Sequence, residues 1–181
     1  HMTIDRIPRL RFGHFPTPIE PMPRLGAHLG GASLWVKRDD ATGLAFGGNK
    51  VRKLEYLLAE AQANGAGMLI TTGAVQSNQC RQTAAAAARF GFDCRLVLGG
   101  DRPASTTGNL LLDELCGAEI RWSGDRDRGA VLDEVFQEAW EDGRRPYKIV
   151  YGASSPIGAM GYVTAMGELA AQSAAYDRII V

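Results

Sequence analysis

The sequence predicts an α/β fold built from βαβ units around a parallel sheet, and three observations carry that prediction. Short apolar runs rich in β-branched residues alternate with longer segments of helical periodicity. The joints between them are short and hold Gly, Asn, Asp or Ser. No internal repeat or low-complexity linker interrupts the alternation. Segments in this order lie as neighbouring parallel strands with helices on the sheet faces.

The first thirty-odd residues stand apart. Five of the eight prolines fall in "IPRLRFGHFPTPIEPMPRLG", which reads as an extended wrap over a surface. "LWVK" from Leu34 is a short strand. A helix is expected from about Asn49 to Ala63: Leu54, Leu57, Leu58 and Ala61 share one face, and Gly65 closes it. "MLITTG" (Met68–Gly73) is a buried strand, "QSNQCRQTAAAAARFG" an Ala-rich helix and "CRLVLGG" the next strand. "GNLLLDELCG" and "RGAVLDEVFQEAWEDG" are helices, followed by the strands "AEIRWS" and "YKIVYG" respectively. "PIGAMGYVTAMGELAAQ" is a longer helix interrupted by glycines, and "RIIV" a final strand. A buried parallel strand is ordinarily followed by a helix that covers it, so this sequence is expected to be the amino-terminal part of a longer fold.

Composition excludes several function classes. The 181 residues are 45% hydrophobic and 22% charged, ordinary for a globular protein, with zero formal net charge. That balance argues for neither nucleic acid nor an acidic membrane surface. No apolar run reaches the length of a membrane span. His1-Met2 reads as a cleavage remnant ahead of the native start. Cys80, Cys94 and Cys116 are widely spaced, and with His14 and His28 they form no metal-ligand pattern. They are expected as small buried apolar residues in a reducing compartment, the cytoplasm by default.

Chemistry is expected at two junctions between a loop and a helix. In "GLAFGGNKVRKLEYLLAEAQANG", Gly47 and Gly48 allow backbone torsions and close approaches that other residues avoid. The helix beyond them opens on Lys50, Arg52 and Lys53. A helix N-terminus is already electropositive, so each base there costs about 0.3 kcal/mol or more. A lysine partly desolvated beside it has a lowered pKa and a larger nucleophilic fraction, as a Schiff-base lysine requires. The alternative is three solvated bases on a poorly capped helix. No Ser or Thr follows the lysine, so this is not a P-loop. The second junction, "TTGAVQSNQCRQT", places Ser77, Asn78 and Gln79 at a helix start suited to a carboxylate or phosphate, or merely capped. Both junctions follow the carboxyl ends of strands, where open parallel sheets bind ligands. "GASSPIGAMGY" reads as a structural turn with small residues for close packing, without the dinucleotide glycine spacing. "Thr106-Thr107-Gly108-Asn109" reads as a helix start, with the lining of a pocket as the lesser alternative.

These motifs resemble the pyridoxal-phosphate enzymes of the D-cysteine desulfhydrase and 1-aminocyclopropane-1-carboxylate deaminase family. The resemblance rests on "TGLAFGGNKVRKLEYL" and "GAVQSNQCRQTAAAAA", with "PTPIEPMPRL", "LWVKRDD", "GNLLLDELCGAEIRW" and "GASSPIGAMGYV" extending it along the chain. It implies a fold type II, tryptophan-synthase-β-like architecture. Residues 48–151 would be the small α/β domain, residues 1–47 the first segment of the large domain, and residues 152–181 the return into it.

The resemblance also implies roles. Lys50 would carry the cofactor aldehyde and then act as base, and Lys53 would approach the cofactor phosphate. Asn78 would lie against the pyridine ring hydroxyl. Ser77, Asn78 and Gln79 would dock the substrate carboxylate. The activity implied is β-elimination on a small amino acid, D-cysteine first, giving pyruvate, ammonia and hydrogen sulfide. "LAFGGNK" and "SNQ" lean instead towards the deaminases, and a sulfo-lyase acting on cysteate is a third possibility. The phosphate-binding loop is expected downstream of "RIIV", so the 181 residues alone are expected to be nearly inactive, and a homodimer is expected at full length. The competing reading is a non-catalytic binding module built on the small domain.

Overall fold

The computed structural model of the chain describes residues 6–172 and 176–180. Its centre is a four-stranded parallel sheet. In chain order the strands are β3 (Met68–Gly73), β4 (Asp93–Leu98), β5 (Glu119–Trp122) and β6 (Pro146–Lys148), and in space β5-β4-β3-β6. Two earlier strands, β1 (Ile19–Pro21) and β2 (Trp35–Lys37), form a separate antiparallel ribbon flanking the short helix α1 (Pro23–His28). The remaining helices are α2 (Lys50–Ala63), α3 (Asn78–Phe90), α4 (Gly108–Leu115), α5 (Arg128–Glu141) and α6 (Pro156–Gln172).

Period-two alternation in the strands divides the apolar core. Leu69, Leu96 and Leu98 point towards α2, α3 and α4, joining Leu54, Leu58 and Leu110. Met68, Ile70 and Val97 point the other way, onto Val131, Val135 and Ala139 of α5. Each fully buried aliphatic side chain contributes about 1.5–3 kcal/mol of transfer free energy. The topology explains the division. The chain steps from β3 through α3 to β4 and through α4 to β5, always in one direction. Then α5 carries it back to β6, beyond β3. Right-handed crossovers run in opposite directions place their helices on opposite faces. The connections leaving β3 and β6 therefore diverge, and a crevice opens at the carboxyl ends of these two strands.

Two sequence expectations are corrected. "LWVK" does not join the parallel sheet: Trp35–Lys37 pairs with Ile19–Pro21. Residues 178–180 of "RIIV" form no strand, and Val181 lies outside the described residues, as do His1 and Met2. A strand exists only by pairing, and among the described residues no strand pairs with this segment; Ile180 is 85% exposed. The proline-rich segment does wrap the surface, held by the buried Glu55 of α2. That carboxylate accepts from the backbone N–H groups of Phe12 and Gly13, both at 2.8 Å, and from Arg9. Among the described residues no helix is long and apolar enough to cross a membrane.

Candidate active site

The lysine loop, residues 43–49, is shaped by conformations that other sequences resist. Gly47 has φ +72°, and a Cβ there would lie 1.8 Å from the Asp40 carbonyl oxygen. Gly48 has φ +135°, and a Cβ would lie 2.6 Å from Gln82 Nε2. Thr42 ties the loop from both sides, its hydroxyl accepting from Gly48 N–H and donating to Gly48 C=O, each at 2.8 Å. Gly47 C=O accepts from Arg81 and Gln82, side chains of α3. The loop is thus seated on the second helix that the sequence singled out.

The loop delivers two amines to one place. Lys50 Nζ and Lys53 Nζ, one turn apart on α2, donate to the same carbonyl, Gly152 C=O, at 3.2 and 3.1 Å. Gly152 follows β6, in the turn Tyr151–Ala153 that leads into α6. Burial lowers the pKa of Lys53, and the neighbouring Lys50 charge lowers it further. The helix has no side-chain N-cap: Asn49 donates instead to the Tyr162 hydroxyl of α6, and Lys53 lies 5.6 Å from the Tyr162 ring centroid.

Arg52 belongs elsewhere. On a helix it points about 200° round from Lys50. Its guanidinium, 1% exposed, meets Asp39 at 2.7 and 2.8 Å, Glu168 at 3.0 and 3.1 Å, and the Thr17 hydroxyl at 3.1 Å. The three bases at the helix start thus split into two amines on the crevice and one buried structural cation.

At the second junction Ser77 is the N-cap of α3, accepting from Cys80 N–H at 3.2 Å. Asn78 is exposed, and its Oδ1 accepts from Asn109 Nδ2 at 2.9 Å. Gln79 is buried, its Nε2 donating to Thr83 at 3.1 Å while its Oε1 has no protein partner. Asn109, read from the sequence as part of a helix start, joins Gln76, Arg81 and Gln82, which the sequence did not single out, in stitching α4, the 76–78 turn and the lysine loop together. The only signal was polar residues on the buried side of an Ala-rich helix. A cleft of about 850 Å³ lies elsewhere, bounded by Trp35, Tyr176 and Ile180. It contains none of these groups, so the chemistry is assigned to the crevice. Among the described residues no three His, Cys, Asp or Glu side chains could hold a metal ion.

Fold and site together define a chain of the open α/β class with two lysine amines gathered at a topological switch point. The chain belongs to the pyridoxal-phosphate dependent enzyme family, whose profile matches residues 10–181. It is 43% identical over 182 residues to a Pyrococcus horikoshii protein provisionally named 1-aminocyclopropane-1-carboxylate deaminase, covering 98% of this chain and 55% of that one. It is 46% identical over 180 residues to the D-cysteine desulfhydrase of Salmonella typhimurium, covering 95% and 53% respectively. The crystal structure of a deaminase homologue superposes with a TM-score of 0.88 at 42% identity, covering 97% of this chain and 55% of that one. Escherichia coli diaminopropionate ammonia lyase shares the fold at 19% identity, with a TM-score of 0.66 over 90% of this chain and 49% of that one. The chain therefore spans about half the length of the curated relatives it matches.

The crevice fits the cofactor of that family. It offers a partly buried amine at Lys50, a second cationic group at Lys53, and an Asn78 amide with no protein partner on its Nδ2 among the described residues. Gly152 has φ +66°, a conformation that favours glycine in the turn that presents this carbonyl to the two amines.

Proposed function

We propose that the protein belongs to a lyase that eliminates the β-substituent of a small amino acid, D-cysteine first. D-Cysteine and water would become pyruvate, ammonia and hydrogen sulfide. The observation that carries this reading is the convergence of Lys50 and Lys53 on one carbonyl at the β3/β6 switch point, where Asn78 opens the helix that follows β3. When bound, pyridoxal phosphate supplies the electron sink for charge at the substrate α-carbon.

The residues supply the rest. Lys50 would hold the cofactor covalently, and its amine, when free, would be the base for the α-proton. Lys53 places positive charge near the phosphate. Asn78 would face the ring oxygen, and the Ser77–Gln79 turn would receive the substrate carboxylate at the start of α3. The relative named as a deaminase favours a second reading, opening of a cyclopropane amino acid to 2-oxobutanoate and ammonia. Sulfite elimination from cysteate is a third use of the same groups. We further propose residues 48–151 as the small domain, and a cytoplasmic homodimer, in keeping with three free thiols.

The test is borohydride reduction with pyridoxal phosphate, then peptide mapping. A single adduct on Lys50, lost in Lys50→Ala, is expected; an adduct elsewhere, or none, overturns the reading. In the loaded protein, sulfide from D-cysteine against 2-oxobutanoate from the cyclopropane substrate separates the two activities.

A further inference from the structure

Four side chains, tied to the lysine loop through the Gly47 carbonyl, form a chain of hydrogen bonds whose direction chemistry fixes. Arg81 can only donate, and its Nη1 lies 3.1 Å from the Asn109 amide. The atom facing it must be the amide oxygen, so the other end of Asn109 is its NH₂ group. A backbone carbonyl can only accept, and that of Gln76 lies 2.8 Å from this same end, which gives the same answer independently. Gln76 is itself fixed, accepting from Asn109 N–H at 2.7 Å and donating to Thr107 C=O at 3.0 Å. The Asn109 NH₂ group also reaches Asn78, at 2.9 Å. The atom of Asn78 that faces it must therefore accept, and the Asn78 NH₂ group is turned out of the network.

We infer that Arg81, acting through Asn109, locks Asn78 as a hydrogen-bond donor towards the crevice, so that Asn78 recognises an anionic ring oxygen and not a protonated hydroxyl. This rests on the cofactor reading above for the identity of that oxygen; the lock itself does not. Arg81 and Asn109 are positioning residues. The same guanidinium donates to Gly47 C=O in the lysine loop, so one buried cation sets both the lysine loop and the polarity of Asn78. A donor at the ring oxygen stabilises its ionised form. It thereby lowers the pH at which the lysine-bound cofactor gives up its proton.

The first measurement needs no cofactor and no variant. In protein labelled with ¹⁵N at asparagine, both side-chain amide hydrogens of Asn109 should exchange slowly, and those of Asn78 freely. A protected Asn78 amide beside a freely exchanging Asn109 amide would overturn the lock. In Asn109→Asp the new carboxylate accepts from Arg81 and from Asn78, so the Asn78 amide should become protected. The second measurement titrates the chromophore of protein loaded with pyridoxal phosphate. Asn109→Asp should raise the midpoint by about one pH unit. In an Asn78→Ala background that shift should fall by half or more, since polarity acts through Asn78 whereas the added charge does not. Equal shifts in both backgrounds would overturn the role at the ring oxygen. Failure of Lys50 to take any adduct would instead overturn the cofactor reading and the ring-oxygen role resting on it, leaving the lock to the exchange data.

Discussion

Two buried arginines, Arg52 and Arg81, sit on either side of the lysine loop and are treated in opposite ways. Arg52 is fully matched: Asp39, Glu168 and Thr17 take its nitrogens, and the Phe15 ring lies 4.4 Å from its guanidinium carbon. Burial opposes its charge, yet the two carboxylates raise its pKa overall. Arg81 is incompletely matched. Its Nε has no protein partner, and neither has either oxygen of the wholly buried Asp113, with which it interacts only through its charge. Its own pKa is lowered by burial, against the pull of Asp113. The first arginine joins β2, α2, α6 and the amino-terminal wrap into one body. The second holds the parts that meet a ligand. Matched charge gives rigidity, whereas the incompletely matched Arg81 holds the lysine loop and the turn at the start of α3.

The contrast breaks most visibly in Arg52→Met. Removing the cation leaves Asp39 with only the Thr17 hydroxyl and Glu168 with Lys37 and Thr17, a loss of about 3–5 kcal/mol in urea unfolding at pH 7. Arg81→Met should cost less, about 1–3 kcal/mol, because Asp113 can answer by staying protonated. Equal losses would remove the distinction. A smaller effect is expected at Glu168. Burial would raise its pKa, but hydrogen bonds from Arg52, Lys37 and the Thr17 N–H hold it down to about 2. Its contribution is therefore present above the ordinary value of 4.5 and is lost as pH falls towards 2. Glu168→Gln should lose about 1–3 kcal/mol at pH 7 and flatten that acid limb; an unchanged limb would assign it to other carboxylates.

The same contrast explains what the sequence could disclose. Elements with their own periodicity were legible: Met68–Gly73 and Pro156–Gln172 fall at the expected bounds. Elements that exist only through a partner were not. Ile19–Pro21 is three residues ending in proline, and its ladder with Trp35–Lys37 bridges a separate helix. At the site, Lys50, Ser77 and Asn78 were visible because glycine-rich joints after strands mark them. Arg52 was grouped with the lysines, since a linear string hides that i and i+2 face apart on a helix. Asn109 meets Asn78 from 31 residues away, and Arg81 reaches Gly47 across 34. Polar pairings at such distances leave no local pattern.

Asp113 sharpens the comparison through pH. Burial raises its pKa from 3.8 to about 7; Arg81 opposes the shift and Glu114 adds to it. The thiols of Cys80, Cys94 and Cys116 lie in the same environment, each pushed up by burial. Below pH 3.8 both folded and unfolded chains carry the proton. Between there and about 7 only the unfolded chain releases it, so stability falls as pH rises through this window and levels off above. Asp113→Asn removes the ionisation. It should match the parent near pH 4 and exceed it by about 1–3 kcal/mol at pH 8, read from denaturant midpoints across pH. A variant less stable at pH 8 than at pH 4, relative to the parent, would mean that the Arg81–Asp113 attraction outweighs the burial.

The smallest effect concerns strain in the lysine loop itself. Ala45 and Phe46 both have positive φ, +45° and +67°, and Phe46 is 81% exposed. A side chain that gains little burial thus occupies a backbone conformation costing an L-residue about 1 kcal/mol. Phe46→Gly relieves that cost while adding freedom to the unfolded chain. The net gain in stability should stay under about 1 kcal/mol. If Phe46 meets a ligand over the crevice, the variant should weaken pyridoxal phosphate binding while leaving unfolding nearly unchanged. Lower stability with unchanged binding would instead make the aromatic ring a packing residue, and the strain a consequence of the glycines that follow it.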